Sequence, residues 1–288
     1  DRDIDGNSLL DDIDGASTFQ AASDVFTSAV TNSDRLFVYL VDHGGNSSGN
    51  GYFRLNGAET VTAAQLDAWL DALQDLPPHP HVTVLLDFCY AGSFLHALKY
   101  DGTADRIVIA ACGTNQPSYF VAGGLVSFSS AFLSGVMLGY DILQSFAMAQ
   151  SAMSWYQAAL LDDDKDDVYD DEADGEIADG AYIGPSYISG GDAPQIGEVC
   201  GNQILTEETS ATLWIGSVES MHPVSNVWCL IIPPDHDPDP ANPVTDLPRL
   251  DLAYDSASGR YTVTYNGFTA PGTYNVTFYV QDVEGNVS

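Results

Sequence analysis

Apolar positions in the first two-thirds of the chain follow two alternating rhythms. Continuous runs at Leu36 to Val41 (LFVYLV), Val82 to Leu86 (VTVLL) and Ile107 to Ala111 (IVIAA) read as strands covered on both faces, the pattern of a parallel sheet between helices. Around them the spacing is helical, over about Thr18 to Val30, Thr62 to Gln74, Ser127 to Leu138 and Asp141 to Leu161. Thr62 and Gln65 make a capping-box pattern for the second of these helices, and Pro77, Pro78 and Pro80 end it. A short piece from Tyr52 to Leu55 follows a Gly/Asn/Ser-rich loop. The predicted class is α/β, a mostly parallel sheet flanked by helices.

Beyond Leu161 the texture changes. An acidic loop leads to linker chemistry at Gly190, Gly191 and Pro194, after which apolar residues alternate at period two. Thr212 to Ile215, Val227 to Ile232, Leu250 to Tyr254, Tyr261 to Tyr265 and Tyr274 to Val280 are short strand-like runs between Pro, Gly, Asn and Asp, the pattern of an all-β sandwich. This divides the chain into residues 1–189 and 190–288, with no internal repeat of solenoid type.

Composition narrows the function. Eight basic against 41 acidic residues leave a net charge of −33, which repels a phosphate backbone and excludes nucleic-acid binding. No apolar run reaches the ~18 residues of a membrane helix. Four cysteines without a C-x-x-C pair make neither a disulfide scaffold nor a zinc site. The sequence starts at Asp1 in a polar stretch without initiator methionine or signal-like segment, which predicts a processed or partial chain.

In open parallel sheets functional groups collect beyond the carboxyl ends of the strands. Two such ends here run into Asp42, His43, Gly44 and into Asp87, Phe88, Cys89, Tyr90, Ala91, Gly92, Ser93. His43 and Cys89 are 46 residues apart, room for one crossover helix between neighbouring strands, so their side chains are expected to face one cleft. A cysteine thiolate is a nucleophile, and a histidine near neutral pH is suited to protonating a departing amine. Gly44, without a side chain, would let a substrate carbonyl approach a backbone N–H, which with that of Cys89 makes an oxyanion hole.

These blocks, FVYLVDHG and LLDFCYAGS, resemble the legumain-like (asparaginyl endopeptidase) cysteine peptidases of the superfamily that includes caspases and gingipains. The resemblance covers about Thr18 to Leu161. It implies a caspase-like domain with Cys89 as nucleophile and His43 as general acid. Thr114 to Tyr119 (TNQPSY) is similar to the family's substrate-lining strand, which implies that Ser118 and Tyr119, with Asp87, border the pocket for the residue before the cleaved bond. The trailing β-rich part looks similar to the immunoglobulin-like domain of a bacterial-type architecture. This fold normally has a first strand upstream of the position of Asp1. The strand at Leu36 to Val41 is therefore expected to leave an open edge, covered by a docked N-terminal fragment of the same precursor.

The remaining cysteines carry blander expectations. Cys112 closes a strand without a histidine motif and reads as buried and inert. Cys200 and Cys229 have a spacing that allows either a bridge between two strands or two free thiols. His79, His81, His96, His222 and His236 lack ligand spacing.

Acid is concentrated in two clusters, six carboxylates from Asp1 to Asp14 and eleven from Asp162 to Asp179. Asp162, Asp164, Asp166 and Asp170 take the first, third, fifth and ninth positions of a calcium-loop pattern, although Asp167 replaces its turn glycine and Ala173 its twelfth ligand. Asp1, Asp3, Asp5, Gly6 and Asp12 fit the same pattern. Repulsion among so many carboxylates favours a structural calcium ion, the alternative being a solvated acidic loop. Together these observations predict a secreted or surface cysteine endopeptidase, with transpeptidation as a related outcome of the same thioester. A rival from another class is an inactive adhesive or structural component that uses the fold for binding.

Overall fold

The computed structural model describes residues 15–29, 34–47, 50–121, 124, 126–166, 169, 173–183, 194–236, 244–245, 247–283 and 287. By contacts the chain forms two units, Asp1–Ser118 with Gln150–Ala181, and Tyr119–Ala149 with Tyr182–Ser288. The boundary expected between residues 189 and 190 lies outside the described residues.

In the first unit, helix α1 (Phe19–Asp24) starts at Thr18, whose hydroxyl accepts the Ala21 N–H, and continues as a wider π-type turn over Val25–Ala29. Strand β1 (Arg35–Val41) follows, then a small antiparallel sheet of β2 (Gly44–Ser47), β3 (Asn50–Arg54) and β4 (Thr60–Thr62). Helix α2 (Ala63–Gln74) carries the complete Thr62/Gln65 capping box and buries Leu66, Leu70 and Leu73 along one face. It crosses over to β5 (His81–Asp87), which is parallel to β1, and β6 (Arg106–Ala110) is parallel to β5 on the other side.

The sheet closes with β8 (Leu160–Asp162), which runs antiparallel to β6 in the order β1-β5-β6-β8. Here the expected helix to Leu161 is corrected. The helix stops at Met153, and the apolar Leu160 and Leu161 leave its rhythm to hydrogen-bond the edge of β6. A second correction concerns β1. Leu36, Val38 and Leu40 face the core shared with α2, but only Val38 is buried, and Phe37 and Tyr39 stack half-exposed on the opposite face. Covering on both faces holds for β5 and β6, the two inner strands.

One charged side chain fixes the crossover. Arg106, 2% exposed at the start of β6, donates to Asp67 (3.0 Å), Asp71 (2.8 Å) and Gln74 (2.7 Å) of α2 and to the Leu98 carbonyl (2.9 Å), with its guanidinium over Tyr100. The planar guanidinium has five donors, and four hydrogen bonds offset its removal from water. Helix and strand are thereby held in one register, which keeps β1 and β5 adjacent.

The second unit contains β7 (Phe120–Val121), α3 (Phe128–Met137), capped by Ser127, and most of α4 (Ile142–Met153). Its β-rich part has β9 (Gln195–Val199), β10 (Ala211–Glu219), β11 (Val224–Ile232), β12 (Val244–Thr245), β13 (Arg249–Asp251), β14 (Ala253–Asp255), β15 (Arg260–Tyr265) and β16 (Asn275–Asp282). Sheets β14-β15-β10-β9 and β13-β11-β16 share a core of Leu213 and Ile215 from one and Val227, Cys229, Ile231 and Val280 from the other, which makes a β-sandwich. The run Leu250 to Tyr254 is not one strand. It breaks at Leu252, whose N–H bonds the Val227 carbonyl, and its two halves join different sheets. Cys200 and Cys229 are both free thiols at this core. No helix among the described residues is long and apolar enough to cross a membrane.

Candidate active site

The β1–β5 register pairs Val41 with Asp87. His43 and Cys89 each stand two residues beyond that pair, so parallel neighbours deliver both to the same level above the sheet. His43 is exposed, and its backbone is pinned on both sides: its N–H donates to the Asp42 carboxylate at 2.6 Å and its carbonyl accepts the Arg54 N–H at 2.9 Å.

Gly44 follows at the start of β2, where a side chain is excluded by contact. A Cβ there would stand 2.7 Å from the Cys89 carbonyl oxygen and collide with the Phe88 ring. The sequence assigned this bareness to an approaching substrate; in the structure Phe88 and the Cys89 backbone fill the space. The contact also establishes that the histidine loop packs on the cysteine turn.

That turn is built by hydrogen bonds to the segment after β6. Tyr90 adopts a left-handed conformation (φ 67°) and donates its N–H to the Gln116 carbonyl at 2.8 Å, while the Gly92 N–H reaches the Cys112 carbonyl at 2.9 Å. Gly92 has no room for a Cβ either, which would stand 2.7 Å from the Thr114 nitrogen. Cys89 is 9% exposed and points its thiol at the Ser118 carbonyl, 3.9 Å away. Burial holds this thiol above its usual pKa range, and the negative charge of Asp87 adds to the effect.

Beneath Cys89, Asp87 and Ser118 are both fully buried, and the Ser118 hydroxyl donates to Asp87 Oδ1 at 2.5 Å. The Gln157 amide in turn donates to Ser118 Oγ (3.3 Å) and to the Ala111 carbonyl (2.7 Å). Tyr119 is 4% exposed. Cys112 gives its thiol to the Phe88 and Gln116 carbonyls, and burial pushes its pKa up to about 12, the condition of an inert thiol.

The acidic loop after β8 is organised differently from the expected spacing. Carboxylate oxygens of Asp162, Asp164 and Asp174 lie within 4.8 Å of one another, and Asp166 is outside this group. Asp170, Asp1, Asp3, Asp5 and Asp12 lie outside the described residues. Asp163, fully buried, accepts the N–H groups of Gly175 (2.9 Å), Ile177 (2.9 Å) and Ala178 (2.8 Å), which folds the end of the loop back over its start. Sequence reasoning missed Gln157, Asp163 and Asp174. Gln157 belongs to no motif, whereas Asp174 had a signal in flanking the failed twelfth position.

A histidine and a cysteine beyond adjacent ends of a caspase-like parallel sheet define a class, the α/β cysteine hydrolases that attack through a thiol. Residues 3–145 match the model of the Peptidase C13 family. Over these residues the chain is a legumain-like cysteine peptidase, of a class that hydrolyses protein substrates. No curated protein matches it.

Proposed function

We propose that the protein is an endopeptidase in which Cys89 Sγ attacks the scissile carbonyl carbon while its proton passes to the His43 imidazole. The backbone N–H groups of Gly44 and Cys89 receive the oxyanion, and His43 delivers the proton to the leaving amine as the carbon–nitrogen bond breaks. Water then hydrolyses the thioester and returns the thiol; an amine in place of water gives transpeptidation. Asp87 and Ser118 border the pocket for the residue preceding the cleaved bond. The observation that carries this reading is the β1–β5 register, which brings His43 and Cys89 to one level of the sheet.

The same proposal gives the acidic loop a structural calcium ion on Asp162, Asp164 and Asp174, supported by the convergence of their oxygens. The same proposal places the protein outside cells or at their surface, where millimolar calcium fills even a weak site. The sandwich serves as an immunoglobulin-like accessory domain. Strand β1 has no partner on its outer flank among the described residues, an open edge that a docked strand would pair.

A thiol-directed activity probe tests the catalytic reading. Labelling and peptide hydrolysis are expected in the unsubstituted protein and in Cys112→Ala, and both are lost in Cys89→Ala. In His43→Ala hydrolysis is lost and labelling slows, because the thiol has lost its base. Well-folded protein that takes up no probe at any calcium concentration would instead be the inactive binding component.

A further inference from the structure

The chain leaves the Cys89 turn and returns to it from two directions, and one returning segment carries a residue that no catalytic motif contains. The segment Ala111 to Ser118 lies directly against the turn. Its Gln116 carbonyl accepts the Tyr90 N–H and the Cys112 thiol, and its Ser118 carbonyl accepts the Cys89 thiol. This segment has to be held from its far side, since nothing regular follows β6 until β7. The holding groups come from the residues just before β8. The Ala158 N–H bonds the Gln116 side chain at 3.2 Å, and the Gln157 amide bonds both ends of the segment, the Ala111 carbonyl at 2.7 Å and the Ser118 hydroxyl at 3.3 Å.

Donor and acceptor roles then follow without freedom. An amide NH2 only donates, so Ser118 Oγ accepts from Gln157 and its single proton goes to Asp87 Oδ1 at 2.5 Å. All three side chains are nine-tenths or more buried, where water does not compete for these bonds. We propose that Gln157 is a positioning residue of the active site. Acting through Ser118, it fixes the carbonyl that receives the Cys89 thiol and the hydroxyl that keeps Asp87 an acceptor. The inference rests on the catalytic reading above, but it concerns a residue 68 positions from the nucleophile in the sequence.

The test is a double-mutant cycle of Gln157→Met and Ser118→Ala in the full chain, with three readouts: melting temperature, the rate of Cys89 alkylation by iodoacetamide against pH, and kcat/KM per alkylatable site. Gln157→Met leaves the Ala111 carbonyl without its donor in either background, so it should lower the melting temperature further even in the Ser118→Ala background. The catalytic effects should not be additive. Each single variant is expected to lower kcat/KM by up to about 100-fold, the size associated with roughly an ångström of misplacement, and to shift the alkylation profile, with the double variant no worse than the poorer single. Multiplied losses, or normal kcat/KM and alkylation in a folded Gln157→Met, would overturn the proposal and leave Gln157 a packing residue. Should Gln157→Met not fold, Gln157→Asn keeps an amide but withdraws it from Ser118, and the same cycle applies. If the unsubstituted protein alkylates at Cys89 but hydrolyses nothing, the catalytic reading fails, and the alkylation cycle alone decides the role of Gln157.

Discussion

Replacing Gly44 with alanine adds one methyl group at the tightest contact of the site. The new Cβ would sit 2.7 Å from the Cys89 carbonyl oxygen. Unstrained carbon–oxygen contacts fall at ~3.3–3.6 Å, so roughly 0.6–0.9 Å of separation has to be found. Phe88 cannot supply it by swinging aside. Its ring is fully buried, with the rings of Phe53 and Phe94 each 5.1 Å away, centroid to centroid. The strain therefore falls on the backbone of β2 and of the cysteine turn. Overpacking of this kind costs about 1–3 kcal/mol, and at roughly 2–4 °C per kcal/mol for a domain of this size the melting temperature should fall by about 2–12 °C. A comparable displacement of Cys89 relative to His43 should reduce kcat/KM by up to about 100-fold beyond any loss of folded protein. Differential scanning calorimetry, with kcat/KM normalised to alkylatable Cys89, separates the two effects. A Gly44→Ala protein with unchanged melting would refute the packing argument, and lowered turnover in that protein would return Gly44 to the role of a bare edge facing substrate.

Three further outcomes follow from charge and burial. Burial holds Cys112 protonated to about pH 12 in the folded protein, whereas the unfolded thiol ionises near ~8.5. The raised folded value means that its contribution is complete below ~8.5 and is lost as pH rises toward the folded value, by about 1.4 kcal/mol per unit. Urea midpoints measured from pH 8 to 10.5 should fall, and less steeply in Cys112→Ala; equal slopes would contradict this. Calcium at a hundredfold excess over its dissociation constant should stabilise the fold by about 2.7 kcal/mol, an effect removed by chelator and by Asp174→Asn but not by Asp166→Asn. A melting curve blind to both calcium and chelator would leave only a solvated loop. Sodium chloride should also raise stability, because a net charge of −33 repels itself across a Debye length that contracts from ~30 Å at 0.01 M to ~3 Å at 1 M; a midpoint that falls with salt would show that attractive pairs dominate.

What the sequence discloses depends on how local each determinant is. Thr62 and Gln65 cap α2 within one turn, and the runs Val84–Leu86 of β5 and Ile107–Ala110 of β6 are continuously apolar and buried, so pattern alone finds them. The His43 and Cys89 pair is legible for a similar reason, since each ends a recognisable strand and the crossover length fixes their adjacency. Strand β8 is not legible. Three residues carry no period, and their partner Val108–Ala110 is some fifty positions away. Leu252 likewise hides its break, because a bend set by the Val227 carbonyl leaves no mark in an alternating run. Gln157 is further from reach still: a buried amide whose meaning lies wholly in the serine and carbonyl it meets looks like any polar residue after a helix.

The acidity itself has two physical components, and only one of them calls for a cation. Of the 41 acidic residues 33 are aspartate, although glutamate carries the same charge. The shorter side chain differs in reaching backbone N–H groups of its own loop. Asp163 does so three times, and Asp162, Asp164 and Asp174 once each. Asp141 receives the Gln144 N–H, Asp255 that of Ala257, and Asp42 that of His43. These seven aspartates serve as turn chemistry, tying connections that would otherwise leave donors unpaired. The few cations are kept for sites that need a positive charge in a defined place, Arg106 between helix and sheet, Arg260 over Trp214 and Arg249 over Trp228. On this division His43 is positioned by the same device that shapes the rest of the surface. An aspartate at the end of a strand grips the next N–H and so fixes the direction in which the following side chain leaves the sheet.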